Sequence, residues 1–171
     1  MLSNFWPAEF NLGNRTYRTV EHAFQAAKIA LVDARLAGQF ALESGTELAR
    51  GAGVAARKQR RLVLLDDVQL RRWDELKNQV MRDAMTAKFS RHEALRAVLV
   101  GTGPAQLWHG TGRGQPPARI HDLEAIRDVC QGVVARNPIA SVPPQGMAIS
   151  PTAHPERTPA AKPGEVRRTE K

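Results

Sequence analysis

Two polar residues of this chain sit where their surroundings could give them chemistry: a lysine inside an apolar helix face, and a carboxylate on a polar stripe beside another. Over about 69–89, Trp73, Leu76, Val80, Met81, Ala84 and Met85 recur at helical spacing, and Lys77 falls within the face they form. Two readings of Lys77 follow. Its alkyl stem can cover apolar surface while the ammonium stays in water, or burial can lower its pKa. From an ordinary value of about 10.4, roughly one amine in a thousand is neutral near pH 7, so a nucleophilic lysine needs desolvation or a cationic neighbour. Glu21, Gln25 and Lys28 fall at i, i+4 and i+7 and form a polar stripe beside a second apolar helix face. Glu21 in a first turn complements the helix dipole; beside a lysine nucleophile the same carboxylate would shuttle protons as general acid and base.

The elements that position these groups can be read in outline. Glu9–Leu12 and Arg15–Arg18 flank Gly13-Asn14, a two-residue loop of the kind that closes a hairpin. Thr19 is placed to cap a helix over about 20–37, with Val20, Ala23, Phe24, Ala27, Ala30 and Leu31 on its apolar face. Helical runs are predicted around 46–60 and 69–89, with a bend between them. Ser90-Arg91-His92-Glu93 has the form of a capping box opening a helix that ends near Gly101. Ala105–His109 is predicted as a strand and Asp122–Val134 as a last helix with Leu123, Ile126 and Cys130 inward. The expected class is mainly α with a small β-sheet, an α+β arrangement without alternating βαβ units.

At 171 residues the chain matches the length prior for one domain. Seven of its eleven prolines and none of its nine aromatic residues lie from Arg136 onward. Such a segment buries too little apolar surface to offset the entropy of ordering it, so the expectation is a folded unit over 1–135 and a disordered Pro-rich tail over 136–171. Charged residues interrupt every apolar run, which excludes a membrane-spanning helix. The first residues show no secretory signal, and a single cysteine, Cys130, points to a reducing compartment and a cytoplasmic protein. The +8 net charge makes a phosphate-bearing partner plausible. A basic nucleic-acid-binding protein would rest on that charge alone, with no aromatics interleaved on a basic face. Gly110, Gly112 and Gly114 have neither the spacing nor the preceding strand of a dinucleotide fingerprint. His109, His121 and Cys130 match no standard zinc spacing and lack a fourth ligand, so no metal is expected.

LSNFWP at 2–7, VEHAFQAAK at 20–28, WDELKNQVM at 73–81 and AKF at 87–89 resemble, in order and spacing, the motifs of the NADAR family of YbiA-like N-glycosidases. The resemblance extends from residue 2 to about 103. It implies a compact, multihelical fold with a small sheet, no cofactor, and hydrolysis of an N-glycosidic bond in ribosylated riboflavin-biosynthesis intermediates or in ADP-ribose attached to guanine. The substrate would be a phosphorylated ribosyl or ADP-ribosyl compound, including ADP-ribosylated nucleic acid. Glu21 and Lys77 match the family's active-site glutamate and lysine, and Asn4, Gln25 and Trp73 match residues around its pocket. Two departures stand out. Members commonly have a strand and loop ahead of LSNF, where Met1 stands directly against it here. The downstream Asp-x-x-Trp-Gly and Asn-x-Leu-Gly signatures are replaced by LWHGTGRGQPPARIHDLEAIRD. In that stretch Trp108 would provide the stacking surface, and His109, Arg113 and Arg119 would face phosphates. The competing reading is a catalytically silent ADP-ribose or nucleotide-binding module; the intact Glu21 and Lys77 favour the hydrolase.

Overall fold

Gly13 turns the chain with a φ of 61°, and with Asn14 it joins β1 (Phe10–Leu12) to β2 (Arg15–Tyr17). A positive φ at the first of two loop residues suits the right-handed twist of the paired strands. Phe10 pairs with Tyr17 and Leu12 with Arg15. In this computed structural model, residues 1–110 and 114–136 are described, and all of them belong to one compact unit. The expected tail over 136–171 therefore lies outside the described residues, apart from Arg136 itself.

Seven α-helices follow from the described residues: α1 (Val20–Ile29), α2 (Ala34–Gly38), α3 (Glu47–Arg50), α4 (Gly53–Lys58), α5 (Asp67–Arg91), α6 (Glu93–Val100) and α7 (His121–Arg136). A second hairpin pairs β3 (Trp108–His109) with β4 (Ala118–Arg119). The expected helical class with small sheets is what the chain adopts. No helix among the described residues is long and apolar enough to cross a membrane.

Several boundaries differ from the sequence expectation, each for a local reason. The helix predicted over 20–37 breaks after Ile29, because the side chain of Asp33 accepts from the Leu36 amide at 2.9 Å and starts α2. The run predicted over 46–60 breaks at Gly51-Ala52 into α3 and α4. Ser90 opens no helix. It lies inside α5, and α6 begins after His92 without a side-chain cap. The capping box is at the other end of α5, where Asp66 accepts from the Gln69 amide and the Gln69 side chain accepts from the Asp66 amide.

With 25 residues, α5 is about 37 Å long and serves as the spine of the domain. α1, β1, α6 and α7 all pack on it, and α1 also packs on α2 and α4. Ala84, Met85 and Phe89 of α5 meet Phe10, Val20, Ile29 and Phe40 in the core. Leu123, Ile126 and Cys130 of α7 are buried as expected, and the Arg82 guanidinium ties α5 to Asp122 at 2.9 Å.

Candidate active site

Thr19 builds the start of α1. Its hydroxyl oxygen accepts from the His22 amide and its backbone is extended, as an N-cap requires. His22 is fully buried; its Nε2 donates to the Leu48 carbonyl at 3.0 Å, which leaves Nδ1 to accept from the Thr19 hydroxyl at 2.8 Å. Burial holds the imidazole below its usual pKa, so the neutral ring works as a structural strut. This capped, buttressed turn presents Glu21.

Glu21 is 7% exposed, and its Oε1 accepts from Gln25 Nε2 at 2.8 Å. One turn apart on α1, the two form the polar pair that the spacing predicts. Gln25 Oε1 is buried and has no hydrogen-bond partner among the described residues. Reversing the amide would set that oxygen against the Glu21 carboxylate, so the orphan acceptor follows from the pairing itself. A buried amide oxygen without a donor is costly in a finished protein, and it fits a group that a ligand completes.

The first residues of the chain form a strap across α1 and α5. The Asn4 carbonyl accepts from the Glu21 amide at 3.2 Å, and Asn4 Nδ2 lies 3.2 Å from Met81 Sδ. Below it, Lys88 Nζ donates to the carbonyls of Ser3 at 2.9 Å and Met1 at 3.0 Å. Lys88 is fully buried and lies 5.1 Å from the Phe89 ring centroid, and desolvation pulls its ammonium down to about 8. Lys88 stands in the AKF motif, eleven residues or three helical turns past Lys77, so both fall on one face of α5, and that shared face does not by itself mark Lys88 as buried.

Trp73 is buried one turn before Lys77, with its ring edge-on to Phe24 of α1 at 4.8 Å. Lys77 itself is half exposed. Its side chain is 43% accessible, and Nζ donates to Asp74 at 2.7 Å. Of the two readings of this lysine, the one with the stem on apolar surface and the ammonium in water matches the geometry. Leu76, Val80 and Met81 beside it are partly buried, because the apolar face is complete only from Ala84 onward.

The downstream residues are arranged differently. Trp108 is 57% exposed and pairs across the second hairpin with Arg119. Arg119 donates through Nε and Nη2 to both oxygens of Glu124, which also accepts from the Leu107 amide at 2.8 Å. These bonds hold the Glu124 carboxyl down at about 2. The guanidinium expected to face a phosphate is thus committed to closing the hairpin onto α7. Arg113 lies outside the described residues. Two open surface clefts flank the helical body, and neither is lined by Glu21 or Lys77.

Asn4 lies on the strap, Glu21 and Gln25 on α1, and Trp73 and Lys77 on α5, the helix that packs against α1, while Trp108 and Arg119 belong to the hairpin on α7. A sequence profile of the NADAR domain matches residues 1–113. The N-glycosidase YbiA of Escherichia coli is 33% identical over 129 residues, covering 69% of this chain and 72% of that protein. An N-glycosidase of Nostoc punctiforme is 33% identical over 102 residues, covering 59% of this chain and 60% of that protein. The NMR structure of Escherichia coli YbiA superposes with a TM-score of 0.53 at 28% identity, covering 79% of this chain and 77% of that one.

Proposed function

The chain belongs to the NADAR domain family, and from that premise we propose that it hydrolyses the N-glycosidic bond of an N-ribosylated or N-ADP-ribosylated nucleobase-type substrate, with Glu21 and Lys77 at the reacting centre. The observation that carries the reading is the buried Glu21–Gln25 pair with its orphan amide oxygen. Glu21 supplies an acid–base group, and Gln25 Oε1 supplies an acceptor for a substrate N–H or hydroxyl. A riboflavin-pathway intermediate and ADP-ribosyl-guanine both offer such donors beside the scissile bond.

The reaction balances without a cofactor. The N-linked sugar opens to an imine at its anomeric carbon, and the neutral Lys77 amine adds there, forming a new C–N bond. Glu21 moves the lysine proton to the nucleobase nitrogen, which departs as a free amine and leaves a Schiff base between Lys77 and the sugar. Water then adds to that carbon with Glu21 accepting its proton. The lysine C–N bond breaks, the sugar leaves as an aldehyde, and the proton returns. One water is consumed, and one amine and one sugar are released.

Asp74 bears directly on this route, because its carboxylate accepts from Lys77 Nζ at 2.7 Å and occupies the amine. The covalent step requires substrate to draw Lys77 away from Asp74. The ion pair favours a second reading, in which Lys77 stays charged, stabilises the departing group, and Glu21 activates water directly.

Incubation with ADP-ribosylated guanosine, ADP-ribosylated DNA and riboflavin-pathway intermediates, followed by mass spectrometry, tests substrate and activity together. Borohydride added during turnover should trap a sugar on the Lys77 peptide, and Lys77→Arg should abolish both adduct and turnover, since arginine stays protonated. Turnover without an adduct selects the second reading. Binding without turnover of any of the three would make the protein a silent ADP-ribose module.

A further inference from the structure

Arg57, Lys58, Arg60 and Arg61, together with Val54, line an open cleft of about 310 Å³. Among the described residues none of the four cations forms an ion pair, whereas Arg72, Lys77, Arg82, Arg119 and Arg127 each face a carboxylate. Their placement follows from the chain: α4 runs on into a 3₁₀ turn over Gln59–Arg61, so residues three and four apart share a face. Like charges at that spacing repel, and the cluster is unfavourable until an anion offsets it. Three guanidiniums with planar donor forks suit a phosphate oxyanion, which can accept several N–H bonds at once.

The cleft abuts the strap. The Arg57 guanidinium lies 5.8 Å above the Phe5 ring, and Phe5 follows Asn4, whose carbonyl accepts from the Glu21 amide. Gly53 makes the approach possible: a Cβ there would lie 2.8 Å from Phe5 Cα and 2.8 Å from its Cδ1. The first turn of α4 is thus pressed against the strap whose Asn4 carbonyl holds the Glu21 amide.

We propose that this cleft is a phosphate-binding subsite, which holds a phosphate or diphosphate group of the substrate while the N-glycosidic bond is presented at the strap. The proposal rests on the N-glycosidase reading for its substrate but on the cleft alone for its ligand chemistry. The phosphate can come from a soluble ADP-ribosyl compound or from a nucleic-acid backbone.

Inorganic pyrophosphate tests the cleft without turnover. Its titration into the full chain should shift the guanidinium NMR signals of Arg57, Arg60 and Arg61. The variant with all three changed to Ala should bind it at least about tenfold more weakly, with Arg→Lys at the same positions restoring part of the affinity. These side chains lie at the surface, and a thermal melt checks that the variants fold. ADP-ribose binding more tightly than pyrophosphate identifies a soluble diphosphate as the source. A twelve-nucleotide DNA binding more tightly, with affinity falling steeply in salt, identifies a nucleic-acid backbone. Equal pyrophosphate affinity in parent and triple Ala variant, or unmoved guanidinium signals, overturns the proposal whether or not Glu21 and Lys77 are catalytic.

Discussion

Lys88 Nζ lies 2.9 Å from the carbonyl oxygen of Ser3, so a buried ammonium near the end of α5 fastens the strap on which Asn4 and Phe5 are carried. With the Met1 carbonyl as its other partner, it pairs with no carboxylate among the described residues. Its position resembles a clamp: the charge is retained in the interior because two backbone oxygens need its protons.

Lys88→Met should separate fold from function. Removing a buried charge relieves a desolvation cost of several kcal/mol, while leaving two carbonyls short of a donor costs about 1–3 kcal/mol each, so stability should stay within about 2 kcal/mol of the parent. The released strap should lower turnover on the order of a hundredfold, the scale of a 1 Å misplacement. Normal turnover in a folded Lys88→Met protein would show that the strap needs no clamp.

The same lysine gives an alkaline signature. Its folded pKa of about 8 lies below the ordinary 10.5, so the folded state sheds the proton first. The associated stability is complete above 10.5 and lost as pH falls toward 8. The parent should therefore gain stability relative to Lys88→Met between pH 8 and 10.5, measured by denaturant midpoints; parallel curves would contradict the burial.

His22 supplies the acid-side counterpart. Its pKa is depressed below 6.5, chiefly by burial, so the unfolded chain takes up a proton that the folded ring refuses. Stability from the neutral ring is complete above 6.5 and declines as pH falls below it. Thermal midpoints from pH 7.5 to 5.5 should fall more steeply for the parent than for His22→Gln, and equal slopes would count against this assignment.

Gly53→Ala should destabilise by about 1–3 kcal/mol, because the new methyl meets Phe5 backbone and not merely a movable side-chain end. The modest helix-propensity gain of alanine works the other way. A denaturant melt decides: an unchanged or raised midpoint would mean Phe5 is not seated on this glycine.

Arg119→Ala should lower thermal stability and leave the Michaelis constant for a phosphorylated substrate unchanged, since the guanidinium is spent on Glu124. A raised Michaelis constant with unaltered melting would return Arg119 to the substrate.

Much of this arrangement was legible in the chain. Gly13-Asn14, the Thr19 cap and the Glu21–Gln25 spacing are local signals, and the structure keeps each of them. Ala30 and Leu31 continue the apolar period past Ile29, so periodicity alone extends the helix, while Asp33 competes for the next cap and ends it. The Ser90 capping box failed for the opposite reason: Lys88 and Phe89 are buried by contacts from distant segments, which carry α5 through Ser90. Lys77 and Lys88 share a helix face, yet only the second is buried, and its partners are backbone atoms 85 and 87 residues away. Pairings of that span leave no periodicity to read.

The opening amides of a helix ordinarily exchange freely with solvent, being the ones without an intrahelical acceptor. At α1 the Asn4 carbonyl covers the amide of Glu21, and Thr19 covers those of His22 and Ala23. The Asn4–Glu21 bond thereby ties the strap to the helix start. A fluctuation that lifts Asn4 bares the Glu21 amide, so hydrogen exchange should find that amide opening with the strap while the Phe10, Phe40 and Phe89 core stays protected.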